Sequence, residues 1–351
     1  MSGNTFGRIF RLTTYGESHG PGLGGIVDGC PPGIPLDEAQ LQAELDKRRP
    51  GQANAASTPR KEPDAVTLLS GVFEGKTTGT PIAFHVANTS QHSADYDDLR
   101  GVYRPGHADY TFDAKFGIRD HRGGGRSSGR ETVARVAGGA IAQALLAREG
   151  IALYGCAASF GGIAAPLTDI AGAERRAFFA PDDGIVPQWE EAVRDARAQG
   201  DTLGGLVRIE AHGVPAGLGE PVFDKLDALF AHALMSVGAV KGVSVGDGFA
   251  AADATGSANN DPMAPDGFAS NHAGGILGGI STGQPIVLTA SVKPIASIGL
   301  EQQTVNTAGE AVTIRVGGRH DLSAIPRIVP VLKAMAALVL ADALLLQKRM
   351  L

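Results

Sequence analysis

The segment from Arg119 to Thr132 reads RDHRGGGRSSGRET and gathers more anion-binding groups than any other stretch of the chain. Arg119, Arg122, Arg126 and Arg130 surround three consecutive glycines and two serines, against two local acids, Asp120 and Glu131. Glycines let backbone N–H groups approach an anion closely, Ser127 and Ser128 add hydroxyl donors, and Arg126 or Arg130 adds charge-assisted bonds. A helix starting near Glu131 would present its positive end to the same place. This points to a phosphate. The bland alternative is a solvated basic loop.

Two histidines lie in turns, where proton transfer is a better use for imidazole than filling a core. His19 stands between Ser18 and Gly20, and His107 lies in YRPGHADYTF. Their ordinary pKa suits acid–base work near neutrality. His85, His92, His212 and His232 read as structural or surface. Asp342 interrupts the apolar run AMAALVLADALLL, where an unpaired carboxylate would be costly. It must pair with an arginine such as Arg319, face a solvent channel, or face a buried site.

Two motifs fail on context. GESHG (16–20) matches the nucleophile elbow G-x-S-x-G, but Pro21, Gly22, Gly24 and Gly25 forbid the helix that elbow needs. GVFEGKTT (71–78) is one residue short of a phosphate-binding P-loop, and TGTPIAF cannot open a helix behind it.

The elements that must hold these residues are readable in outline. Phe6 to Thr13 reads as one strand, and GGIVDG as another. Asp37 caps a helix through Arg49, with Leu41 and Leu45 on one face and Lys47, Arg48 and Arg49 at its negative end. AVTLLSGVFEG and TPIAFHVAN form a hairpin turning at KTTG. Glu131 to Glu149 is a small-faced helix suited to close packing. Strands follow at 152–159 and 205–213, with an exposed amphipathic helix between them. A helix at 224–235, a glycine-rich turn with a strand in SNHAGGILGGISTGQPIVLTASVKP, and a buried helix at 326–348 complete the chain. Helices and hairpins without strict βαβ order mean α+β, and no clean linker divides residues 1–351, so one domain is expected.

Composition narrows the class. A net charge of −6 argues against a general nucleic-acid binder. Cys30 and Cys156 exclude a disulfide scaffold and fit a reducing cytoplasm, with no cysteine motif for a metal. The opening residues lack a secretory h-region, and the apolar stretch 328–346, broken by Pro330, Lys333 and Asp342, is too short and charged to span a membrane.

Three long segments, GESHGPGLGGIVDGCPPG, RPGHADYTFDAKFGIRDHRGGGRSSGRET and GRHDLSAIPRIVPVLKAMAALVLAD, resemble the chorismate synthase family, and the resemblance covers nearly the whole chain. It implies a β-α-β sandwich and a homotetramer. The implied activity is that of a carbon–oxygen lyase: anti 1,4-elimination of phosphate from 5-enolpyruvylshikimate 3-phosphate to give chorismate, with reduced FMN. FMN contacts would fall to Arg126, Ser127, Ser128, Gly238, Ala239, Gly278, Lys293, Pro294, Ile295, Ala296, Ser297 and Arg319. Arg48, Arg49, Arg60 and Arg130 would face the substrate or a dinucleotide. His19 would serve the phosphate, His107 the flavin N1, and Ser18 with Asp342 a proton near N5. No metal is implied. Without a dinucleotide fingerprint, an external flavin reductase is expected, NADPH acting only through it. Departures from the family pattern are His121 for tyrosine, Gly129 for alanine, Leu322 for proline, Lys333 for glutamate and Asn54 for arginine. The rival of another class is a non-catalytic phosphometabolite-binding module, which would have no need of the histidines.

Overall fold

The protein was studied as a computed structural model that describes residues 3–49, 56, 63–89, 100–316 and 320–350. Its first sheet is built from β1 (Thr5–Phe6), β2 (Arg11–Gly16), β3 (Gly22–Asp28), β4 (Val66–Leu68) and β7 (Ile82–Ala87). A small ribbon of β5 (Val72–Phe73) and β6 (Lys76–Thr77) comes between β4 and β7. Sheet order is β1-β2-β3-β7-β4, every pair antiparallel.

The second sheet has the order β11-β16-β10-β8-β9, again antiparallel. Its strands are β8 (Ala152–Phe160), β9 (Ile163–Ala164), β10 (Gly205–His212), β11 (Val240–Val245) and β16 (Ile286–Val292). Two ribbons, β12 (Met263–Ala264) with β13 (Gly267–Phe268) and β14 (Ile276–Leu277) with β15 (Ile280–Ser281), precede β16. A hairpin of β17 (Glu301–Val305) and β18 (Ala311–Arg315) follows it.

The helices are α1 (Glu38–Arg48), α2 (Asp109–Phe116), α3 (Thr132–Arg148), α4 (Val186–Gln199), α5 (Leu226–Met235), α6 (Gly256–Asn259) and α7 (Ile325–Met350), of which α3 and α7 fill the space between the sheets. α3 packs on β2 and β3, α7 packs on β8 and β10, and the two helices pack on each other with α1 against both. The layers are therefore sheet, helices, sheet, the β-α-β sandwich expected from the family resemblance.

The tight α3–α7 packing expected from the small helix face has a specific cause. A side-chain carbon on Gly139 would lie 2.7 Å from the Ala334 Cα, closer than packed carbons come. α7 runs 26 residues, longer than expected. It meets the length and apolarity of a membrane span, but 94% of its most apolar window is buried inside the protein.

Three local expectations need correction. The strand expected over 6–13 is broken: Gly7 turns the chain at φ +90°, where any side chain would strike the Phe10 carbonyl. Asp342 holds the break. Its carboxylate accepts the backbone N–H groups of Arg8 (2.9 Å), Ile9 (2.7 Å) and Phe10 (3.0 Å). The hairpin at 66–87 does pair β4 with β7, yet KTTG is not its turn. The chain reverses at Glu74–Gly75, both at positive φ as a two-residue hairpin requires. The helix at 186–199 is amphipathic but not merely exposed, because Trp189 is fully buried and donates to the Ile163 carbonyl at 3.1 Å.

Two outcomes follow. Gly139→Ala gains about 1 kcal/mol of helix propensity, while overpacking costs about 1–3 kcal/mol. The backbone contact cannot yield, so urea denaturation should show net destabilisation. Asp342→Ala leaves three amide donors without their charged acceptor, each such bond contributing about 1.5–3 kcal/mol. A sharp fall in melting temperature is expected. An unchanged melting temperature with lost turnover would instead return Asp342 to the chemistry.

Candidate active site

β2 ends at Gly16, whose φ of +87° reverses the chain into the turn Glu17–Gly20. This turn meets the arginine–glycine loop. A carbon on Gly123 would lie 2.6 Å from His19 Nε2 and 3.2 Å from Ser18 Oγ, so only glycine lets His19 and Ser18 lie against the loop. Ser18 Oγ is buried and makes no hydrogen bond among the described residues. Asn88, just past β7, closes the turn from the other side, its amide donating to the carbonyls of Glu17 (2.9 Å) and Gly20 (2.8 Å) and, at 3.4 Å, Ser18.

The loop is not the store of unpaired charge that its sequence suggests. Arg119 reaches Asp109 at 3.0 Å. Arg122 pairs with Asp120 at 2.7 Å; that hydrogen bond, aided by the nearby His19, holds the Asp120 carboxyl down at about 2. Arg126 turns inward, donating to the Gly16 carbonyl (2.9 Å) and Thr14 Oγ1 (2.5 Å). That commits to β2 the guanidinium expected to contact FMN. Ser127 donates to the Gly124 carbonyl, while Ser128 Oγ caps the next turn by accepting the Arg130 N–H.

Arg130 meets the fully buried Asp64, which also accepts from Arg48 at 2.8 Å. Arg48 further donates to Thr132 Oγ1 and the Gly129 carbonyl. Two guanidinium groups thus converge on one buried carboxylate, which brings two cations to one place, as an anion site needs. Arg49 lies on the surface beside Asp46 at 3.1 Å, outside this cluster. Arg60, Asn54 and Arg319 lie outside the described residues.

A second cluster gathers around His107, at the start of α2. Its Nδ1 must donate to the Pro105 carbonyl (2.9 Å), since that oxygen can only accept, which leaves Nε2 to accept from the Ser297 hydroxyl (3.0 Å). Burial, with Arg104 and Lys293 nearby, lowers the His107 pKa below its ordinary value. Lys293 Nζ donates to the Gly106 carbonyl at 3.1 Å, and its backbone N–H to the Ala239 carbonyl at 2.9 Å. Gly106 has room for Ala296 only because it has no side chain. The expected residues Gly238, Ala239 and Lys293 to Ser297 are thereby brought together, with Thr202 donating to the Ile295 carbonyl and Pro294 against Gly204. Gly278 is at the turn of the β14–β15 ribbon, tied through Gly279 to Leu226.

Residues 321–323 stitch the clusters. Leu322 donates to the Ala56 carbonyl beyond α1 and accepts from the Leu203 N–H beside Thr202. Asp321 pairs with Arg327 at 2.6 Å, and Arg327 donates to the Arg48 carbonyl. Sequence reasoning missed Asp64, Asn88 and Asp321. Only Asp321 sat inside a motif already singled out. Asp342 belongs to neither cluster: its carboxylate holds the 7–10 turn. Among the described residues, no group of acids, cysteines and histidines is arranged to hold a metal.

Comparison with known proteins identifies the family. The chorismate synthase family model matches residues 10–345. A chorismate synthase of Nitratidesulfovibrio vulgaris (strain DSM 19637 / Miyazaki F) is 69% identical over the full length of both chains. That of Maridesulfovibrio salexigens (strain ATCC 14822 / DSM 2638 / NCIMB 8403 / VKM B-1763) is 63% identical, also over the full length of both. A crystal structure of a chorismate synthase matches with a TM-score of 0.78 at 32% identity, covering 97% of this chain and 93% of that one. With its sequence matched end to end and its fold shared with a solved member, the chain belongs to the chorismate synthase family.

Proposed function

We propose that the two clusters serve opposite ends of one reaction, with phosphate loss beside His19 and the flavin side beside His107. The reaction is the last step of the shikimate pathway, in which 5-enolpyruvylshikimate 3-phosphate loses phosphate to give chorismate, and family membership favours it over a non-catalytic binding module. The observation that carries the division of labour is the meeting of Arg48 and Arg130 at Asp64, which puts two guanidinium groups where a leaving phosphate would need positive charge. His19 stands beside that charge through the turn clamped by Asn88 and is the group placed to protonate or hold the phosphate.

The residues fit reduced FMN: the buried Ser18 hydroxyl has no hydrogen-bond partner among the described residues, and the glycine-lined turns around it and around His107 offer backbone and hydroxyl groups suited to a flavin phosphate and ring. Ser127, Ser128, Gly238, Ala239 and Lys293 to Ser297 would hold the cofactor, with Gly278 and Arg319 as further contacts. When bound, it supplies electron density to the breaking C–O bond and recovers it as the C6 hydrogen leaves. His107, fixed as the Nδ1–H tautomer, would face flavin N1, and Ser18 would hold a proton near N5. Arg126 acts indirectly, by fixing the start of the His19 turn.

The same reading carries a cytoplasmic homotetramer supplied by a separate flavin reductase, NADPH being consumed there. Burial pushes the thiols of Cys30 and Cys156 up to about 12, which leaves both unreactive and suits a reducing compartment.

Anaerobic phosphate release with dithionite-reduced FMN tests the reading: turnover should need the flavin without consuming it, and equal turnover in its absence rejects the cofactor. His19→Ala and His107→Ala should each lose roughly 10²–10⁴ in rate. If neither variant slows, the acid–base assignment fails. His107 also sets a pH dependence. Its folded pKa lies below the unfolded value of about 6.5, so the unfolded chain takes up its proton first. Its contribution to stability is full above that value and falls as pH drops toward the folded pKa. NMR of the ring should show it neutral at pH 7 and titrating below about 6.5.

A further inference from the structure

The His19 turn is short, rich in glycine and without regular structure, yet His19 has to hold a fixed place against the loop. Among its described side-chain contacts, one residue meets the turn at several points. The Asn88 amide donates to the carbonyls of Glu17 (2.9 Å) and Gly20 (2.8 Å), with Ser18 at 3.4 Å, bracketing His19 on both sides. Its backbone N–H donates to the Pro21 carbonyl at 3.0 Å, extending the grip by one residue. An amide carries two hydrogens, so two of the three side-chain contacts are full bonds and the Ser18 contact is shared.

The other end of the same side chain faces the arginines. Asn88 Oδ1 accepts from Arg130 Nε at 3.0 Å, and Arg130 pairs with Asp64, which pairs with Arg48. Asp64 holds this pose at φ +45°, a conformation unfavourable for a residue with a side chain, so its neighbours over-determine it. One side chain therefore joins the cationic cluster to the turn that carries Ser18 and His19.

We infer that Asn88 is a positioning residue, which sets His19 at a fixed distance from the Arg48–Asp64–Arg130 cluster by bridging Arg130 to the Glu17–Gly20 turn. This rests on the reading of His19 as the group at the phosphate. The amide is needed for its opposite ends: donors toward the turn, an acceptor toward the arginine. Aspartate keeps the acceptor and the shape but turns an oxygen toward the carbonyls, so the bridge opens on one side only. A displacement of about 1 Å in a reacting group costs about 10²-fold in rate.

The test is a double-mutant cycle on phosphate release from 5-enolpyruvylshikimate 3-phosphate with reduced FMN, using the intact protein. Asn88→Ala and Asn88→Asp should each lower kcat by about 10- to 100-fold, with KM changed much less. In a His19→Ala background, either change should cost little more, because its effect passes through His19. Losses that multiply instead would overturn the inference, as would full activity in Asn88→Asp. Unfolding of both variants, seen as lost melting transitions, would overturn it too, since the amide would then hold the fold and not the turn. Full activity of His19→Ala alone would remove the underlying reading, an outcome distinct from each of these.

Discussion

Where α3 crosses α7, Gly139 meets Ala334 with no room for another carbon, and the rest of the site is referred to that crossing. The N-terminal end of α3 carries the arginine–glycine loop. The start of α7 carries the Asp321–Ser323 stitch between the clusters. Further along α7, Asp342 grips the 7–10 turn, from which β2 runs directly to Gly16 and His19. Helices separated by larger side chains would move loop and turn relative to each other. Packing at a glycine fixes their spacing, because backbone against backbone has no rotamer to adjust.

Electrostatics then divides the arginines by task. Those of the loop that lie near acids are used for architecture: Arg119 on Asp109, Arg122 on Asp120, Arg126 on the end of β2. Arg48 and Arg130 differ, since both converge on one buried carboxylate, each at its own oxygen. Asp64, fully buried, orders both side chains from one point. Such an arrangement is set before ligand arrives, so little reorganisation is left to the moment of bond breaking.

What could be read from the chain was whatever its neighbours in sequence determine. Asp37 and Gln40 of LDEAQ form a capping box, and α1 starts there as expected. The small residues of α3 gave its close packing, and the placement of His19 and His107 in turns follows from flanking glycine and proline. Features that depend on distant partners were not legible. Asp64 lies 66 residues from Arg130, and Asp342 lies 332 to 334 residues from the amides it holds. Nothing local distinguishes a carboxylate that caps a remote turn from one facing a ligand, since both appear as a charge inside an apolar helix. The loop misled for the same reason: its local shortage of acids is real, and distant acceptors make it up, Asp109 from α2, Asp64 from the segment before β4, and the Gly16 carbonyl with the Thr14 hydroxyl from β2.

Lys333 shows the same logic at a position where the family resemblance leads to an expectation of glutamate. The residue is on α7 and buried, so alone it would be severely penalised. It lies 2.9 Å from Glu44 of α1, which also pairs with Lys47 at 2.7 Å, and Lys47 in turn meets Glu174 at 2.8 Å. Burial would raise the Glu44 carboxyl, but the two lysines outweigh it and lower it instead. Two cations and two anions close a network between α1, α7 and the 173–175 turn. A glutamate at 333 would instead set three acids around Lys47. The departure is therefore compensated within its own neighbourhood, and α1 stays fixed against α7 so that Arg48, at the end of α1, reaches Asp64.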